Sequence, residues 1–148
     1  NLDLGRIVLA YTDHAGHPPL RALVAARAGG GLDADNVLIT AGAAAALFIV
    51  AITLLDAGDH IVVVRPNYAT NIETPRAIRC DISYVDLDFD QGFAFDIEKL
   101  KTLVRPNTKL ISVTTPHNPT GVALNAEQLK QIVAIAESCG AYVLVDET

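Results

Sequence analysis

Lys109-Leu110-Ile111-Ser112-Val113-Thr114-Thr115-Pro116-His117-Asn118-Pro119-Thr120-Gly121 decides the fold. Its first six residues form an apolar run of strand length, and the prolines and glycine behind them demand a tight turn. Asn125 follows with Gln128 three positions on, a capping box for a helix that reaches Ser138 and whose last turn meets Gly140. A second apolar run, Ala141-Tyr142-Val143-Leu144-Val145, leads into Asp146-Glu147. The order strand, helix, strand puts the amide of Asn118 and the carboxylate of Asp146 just past the carboxyl ends of two neighbouring strands. That edge is where open α/β sheets bind ligands.

Working outward, the same alternation continues. Pro18 and Pro19 open a helical pattern over residues 19–28, closed by Gly29-Gly30-Gly31. Residues 37–40 read as a short strand. An alanine-rich helix runs from Gly42 to about Leu55, and Asp56-Ala57-Gly58-Asp59 turns the chain into a strand over residues 61–64. Residues 68–73 predict a short helix that Pro75 kinks or stops, residues 81–87 an edge strand, and Asp96 the cap of a helix through Leu103. Strands alternating with helices predict an α/β fold, three αβα layers around a mostly parallel sheet.

Composition narrows the function. The 148 residues fit one ordinary domain, and 51% hydrophobic residues supply ample material for a core. A net charge of -6, with the 11 Lys and Arg scattered, argues against a nucleic-acid or anionic-membrane surface. The longest apolar block, residues 41–55, is interrupted by Gly42 and Thr53 and falls short of the roughly 20 residues a membrane span needs. Cys80 and Cys139 sit in no metal-ligand or disulfide spacing, so no metal is expected and the setting reads as reducing and cytoplasmic. A small-molecule ligand is the expectation.

Several short stretches bear on which ligand. Thr40-Ala41-Gly42-Ala43-Ala44 stands at a strand-to-helix junction, where unpaired amides favour an anion such as phosphate. Ala43 and Ala44 bring only backbone N–H groups, and close packing of small residues is the plainer reading of them. Pro66-Asn67-Tyr68 places an aromatic ring past another strand end, suited to covering a flat heteroaromatic ligand or simply to a surface tyrosine. Asn118 alone reads equally as a turn cap, and Asp146-Glu147 as solvated charges. His117 reads as structural or solvent-facing, with no Ser or Cys nucleophile motif beside it.

In their order along the chain these stretches are more specific. Tyr11-Thr12-Asp13-His14-Ala15-Gly16-His17-Pro18-Pro19-Leu20-Arg21, Gly42-Ala43-Ala44-Ala45-Ala46-Leu47, Pro66-Asn67-Tyr68, Asn118-Pro119-Thr120-Gly121 and Asp146-Glu147 together resemble the class I/II aminotransferases. These are pyridoxal 5'-phosphate (PLP) enzymes of fold type I, and the resemblance extends over essentially the whole chain. It implies that the amides of Ala43 and Ala44 hold the cofactor phosphate and that Tyr68 stacks on the pyridine ring. Asn118 would donate to the phenolic oxygen, and Asp146 would pair with the protonated ring nitrogen. Tyr11 matches a tyrosine that reaches the phosphate of a neighbouring subunit, which implies a homodimer.

The implied reaction moves an amino group between an amino acid and a 2-oxo acid. The same cofactor also serves lyases, racemases, cyclases and decarboxylases, and a non-catalytic module of this fold is a third reading. The family's Schiff-base lysine matches none of Lys99, Lys101, Lys109 and Lys130. The resemblance therefore implies a segment of a longer enzyme, with residues 1–17 as an amino-terminal arm and residues 18–148 as part of the large domain. The last strands of the family sheet and the small domain are missing from it, and a strand over residues 37–40 would need other partners for its backbone groups.

Overall fold

The computed structural model describes residues 5, 8 and 10–148, which form two compact units, Asn1–Gly42 and Ala43–Thr148. The remaining residues of the expected arm, at positions 1–4, 6, 7 and 9, lie outside the described set.

In the first unit, helix α1 (Pro18–Ala28) starts on a proline pair, and Gly29 donates its N–H to the carbonyl of Ala25. Residues 37–40 do not form the expected strand. A strand needs a ladder, and here the backbone groups bond individually: the Ile39 N–H donates to Ala15 O (2.9 Å) and Val37 O accepts from Arg21 Nε (2.9 Å). Gly16, at φ +103°, makes that approach possible, because a Cβ there would stand 2.4 Å from Ile39 Cβ. Arg21 also reaches Asp35, in a 3-10 turn (Ala34–Asn36) that the sequence reading did not separate from the loop.

The second unit runs α2 (Ala43–Leu54), β1 (His60–Arg65), α3 (Ala69–Ile78), β2 (Asp81–Asp86), α4 (Ile97–Leu103), β3 (Thr108–Thr114), α5 (Ala126–Cys139) and β4 (Tyr142–Asp146). All strand pairs are parallel, in the order β2-β1-β3-β4. The central strands β1 and β3 are buried on both faces, as continuous Val/Ile/Leu runs require. Alternate residues feed two cores. Val62, Val64, Ile111 and Val113 pack with Leu100 of α4 and with Ile132 and Ala136 of α5. Ile61, Val63 and Leu110 face the other way, onto Ala51 of α2 and Leu55 just past it. Helices thus cover both sheet faces, giving three αβα layers, and β2 is an edge strand as expected.

Two caps match the sequence closely: Asp96 accepts from Lys99 N, and Asn125 and Gln128 form the reciprocal capping box of α5. Of the kink or stop expected at Pro75, the stop does not occur, and α3 runs on to Ile78. Pro75 is buried inside the helix, and it lines a small gap together with Leu47, Ala51 and Leu110.

Candidate active site at the carboxyl-terminal edge of the sheet

Because the strands are parallel, their carboxyl ends line one edge of the sheet, and three loops leave from it. After β1, the Asn67 side chain turns the chain outward: its Nδ2 donates to Val64 O (3.1 Å) and its Oδ1 accepts from the Tyr68 N–H (2.7 Å). Tyr68 occupies the position before the first residue of α3 without capping it, and its side chain stays about half exposed. Beside this loop, Arg65 meets both carboxylate oxygens of Asp86 and lies over the Tyr84 ring. That pair is half exposed, so its contribution to stability is small.

After β3, the loop folds on itself. Gly121 N donates to His117 O (2.6 Å), His117 N to Val122 O (2.7 Å), and Thr115 Oγ1 accepts from Leu124 N (2.9 Å). The prolines at 66, 116 and 119 all follow cis peptide bonds. Asn118 is carried at the tip, exposed, whereas His117 beside it is buried with Nδ1 against Thr120 Oγ1 (2.8 Å). Burial pushes the His117 pKa below its ordinary value, and the Pro66 carbonyl opposes this. By distance and angle, Nε2 nevertheless has no hydrogen-bond partner among the described residues. His117 is structural, as read from the sequence, but not solvent-facing.

Asp146 ends β4 in register with Thr114 of β3, and its own carbonyl accepts from Thr115 N (2.9 Å). Its carboxylate is held from two sides. Oδ1 accepts from the N–H (3.1 Å) and hydroxyl (2.6 Å) of Thr148, and Oδ2 accepts from Asn71 Nδ2 (3.4 Å). Glu147, next along, is exposed and outside this network. The first half of α2 reaches the same edge, since Leu47, one turn into the helix, shares a small gap with Asn71, Ser112 and Leu144. Ala43 and Ala44 open α2, and their N–H groups are among those with no partner inside the helix.

Of the residues singled out in the sequence, Tyr68, Asn118 and Asp146 follow the carboxyl ends of three neighbouring strands, and Ala43 and Ala44 open α2 in the same unit. Tyr11 lies in the first unit, fully exposed. The sequence reading missed Asn67, Asn71, Ser112 and Thr114. Their signal was available: Ser112 and Thr114 are polar and on one face of an otherwise apolar buried strand, and Asn67 and Asn71 are four residues apart around a helix start. A second cleft, of about 670 Å³, lies between α4 and α5 and is lined by Val104, Arg105, Ile135 and Cys139. It belongs to the helix layer and includes none of the residues above. Among the described residues no cluster of His, Cys, Asp and Glu could hold a metal ion, and no helix is long and apolar enough to cross a membrane.

The sequence profile of the family described as aminotransferase class I and II matches residues 2–148. A probable aspartate aminotransferase of Methanocaldococcus jannaschii is 34% identical over 116 residues, covering 78% of this chain and 30% of that protein. The aspartate aminotransferase of Pyrococcus horikoshii is 32% identical over 141 residues, covering 93% of this chain and 36% of its own length. Among solved structures, a PLP-dependent aminotransferase from Streptococcus suis superposes with a TM-score of 0.91 at 31% identity, over 98% of this chain and 38% of that one. The aspartate aminotransferase of Thermotoga maritima does so with a TM-score of 0.90 at 30% identity, over 98% and 40%. The chain thus spans roughly a third of the length of the curated relatives it matches.

Proposed function

Because this chain belongs to the class I and II aminotransferases, we propose that the protein carrying it binds pyridoxal 5'-phosphate at the carboxyl-terminal edge of the sheet and transfers an amino group between an amino acid and a 2-oxo acid. What supports this reading is that an exposed aromatic ring, an exposed amide and a carboxylate held from two sides follow the carboxyl ends of three neighbouring parallel strands.

That donor set fits the cofactor group for group. The N–H groups of Ala43 and Ala44 suit the phosphate, with the helix dipole adding to them and no side-chain hydroxyl needed. Tyr68 would offer a ring to cover the pyridine, and the Asn118 amide would donate to the phenolic oxygen. Asp146 would accept from the ring nitrogen and so keep a proton on it. The bound cofactor supplies an electron sink for the substrate's Cα. The chain's contribution is to bind it, orient it and hold that proton.

The four lysines stand elsewhere. Lys99 and Lys101 lie on α4, Lys130 is exposed on α5, and Lys109, near the start of β3, is 4.0 Å from Asp59. We place the lysine that anchors the cofactor outside these residues. In the same reading residues 1–17 are an arm, residues 18–148 part of the large domain, and Tyr11 reaches the phosphate site of a second subunit in a homodimer. Free Cys80 and Cys139 suit a cytoplasmic setting.

Adding pyridoxal phosphate to the intact protein is expected to produce a visible absorption band that borohydride removes, and an amino acid with a 2-oxo acid is expected to yield the exchanged pair. An intact protein that takes up no cofactor contradicts the reading.

A further inference from the structure

Asn71 is a buried polar side chain, 5% exposed, to which neither the sequence motifs nor the cofactor contacts give a role. Its hydrogen bonds fix its orientation without ambiguity. The Tyr68 N–H donates to one end of the Asn67 amide, which identifies that end as the oxygen, and the nitrogen end donates to Val64 O. Asn71 therefore turns its own nitrogen to Asn67 Oδ1 (3.1 Å), and the same nitrogen reaches Asp146 Oδ2 (3.4 Å). Its oxygen accepts from the buried Ser112 hydroxyl (3.3 Å), and Thr114 Oγ1 approaches Asn67 Oδ1 at 3.5 Å. Flipping the Asn71 amide would set its oxygen against two acceptor oxygens, so one orientation prevails.

The consequence is a continuous bridge. It runs from the backbone of Tyr68 through Asn67 and Asn71 to the carboxylate of Asp146, joining residues 78 positions apart in the chain. Thr148 holds one carboxylate oxygen, and Asn71 holds the other. Together they set the plane of the carboxylate, and hence the direction of the lone pairs left to meet a ligand.

We propose that Asn71 is a positioning residue, which orients the Asp146 carboxylate toward the ring nitrogen of the cofactor and ties that orientation to the loop bearing Tyr68. The inference rests on the functional reading above and adds to it a residue that touches neither cofactor nor substrate.

The test is a double-mutant cycle in pyridoxal phosphate affinity on the intact protein, with the absorption maximum of the bound cofactor recorded in each variant. Asn71→Leu keeps the volume and removes the amide, and its affinity is expected to fall about tenfold with a displaced absorption maximum. In an Asp146→Ala background the same substitution is expected to change neither quantity further, since it acts through Asp146. Ser112→Ala, which removes only the hydroxyl that orients the amide, is expected to weaken binding about threefold and serves if the leucine variant does not fold. Effects of Asn71 and Asp146 that add, or an affinity and absorption maximum unmoved in both single variants, overturn the assignment while the functional reading stands. A wild-type protein that binds no pyridoxal phosphate overturns both.

Discussion

At the amino-terminal edge of the sheet, His60 is fully buried and both ring nitrogens are engaged, Nδ1 with Thr108 Oγ1 (2.8 Å) and Nε2 with Ser83 Oγ (2.9 Å). Those hydroxyls are engaged in turn: Thr108 Oγ1 accepts from Arg105 N and Ser83 Oγ from Arg105 Nη2, while Arg105 also pairs with Asp81. At the carboxyl-terminal edge the polar groups form a network as well, but it stays open. Tyr68 and Asn118 are exposed, and Asp146, though anchored by Asn71 and Thr148, keeps hydrogen-bonding capacity on a half-buried carboxylate. Both edges contain groups that composition alone would nominate as catalytic, the histidine foremost. A histidine with both ring nitrogens engaged by internal hydroxyls is a joint of the fold, whereas exposed groups and a half-buried carboxylate with free capacity at the strand ends are available to a ligand.

Four substitutions or titrations sharpen or break this contrast. The largest effect is expected from Asp146→Ala, which should lower kcat/KM for transamination by the intact protein about 10²–10³-fold, while its urea midpoint barely moves. Unchanged steady-state kinetics would remove Asp146 from the open edge. At the closed edge, Thr108→Val leaves a ring nitrogen of His60 and the Arg105 N–H without a partner and should cost about 1–3 kcal/mol in urea denaturation. Cofactor affinity should be untouched, and a change there would erase the distinction between the edges.

Tyr68→Ala should weaken pyridoxal phosphate binding about tenfold, read by fluorescence titration, because it removes stacking area from a half-exposed ring. Equal affinity would mean that the ring covers nothing. The smallest effect is pH-dependent. Burial first, and then the Arg105 charge, push the His60 pKa below 6.5 against an opposing pull from Asp81, and burial lowers His117 likewise. Below pH 6.5 the unfolded chain takes up protons that the folded chain refuses, so stability is lost as the pH falls through that value. His60→Gln should reduce this slope without abolishing it, because His117 contributes the rest. A slope unchanged in His60→Gln would show that the closed edge already tolerates a charged ring.

Much of the fold could be read because local signals and packing agreed. The Asn125–Gln128 box, the Asp96 cap and the apolar runs of β1, β3 and β4 each specify an element that the sheet then buries. Where the reading failed, tertiary contacts outweighed local preference. Residues 37–40 have strand composition, but Arg21 and Ala15 take their backbone groups individually. Pro75 has a helix-stopping ring, but α3 runs past it with Pro75 buried.

The site divides in a similar way. Tyr68, Asn118 and Asp146 sit beside turn and strand-end signals that periodicity reveals. Asn71 and Ser112 matter through contacts 75 and 41 positions apart in the chain, which no local pattern encodes.

A crystal structure of the intact protein with the cofactor bound would show whether the open edge holds pyridoxal phosphate by its ring nitrogen and phenolic oxygen. The ring nitrogen is expected within hydrogen-bond distance of the Asp146 carboxylate, the phenolic oxygen within reach of the Asn118 amide, and the phosphate at the N–H groups of Ala43 and Ala44. A cofactor seated away from this edge, or turned so that Asp146 faces no ring nitrogen, would contradict this placement.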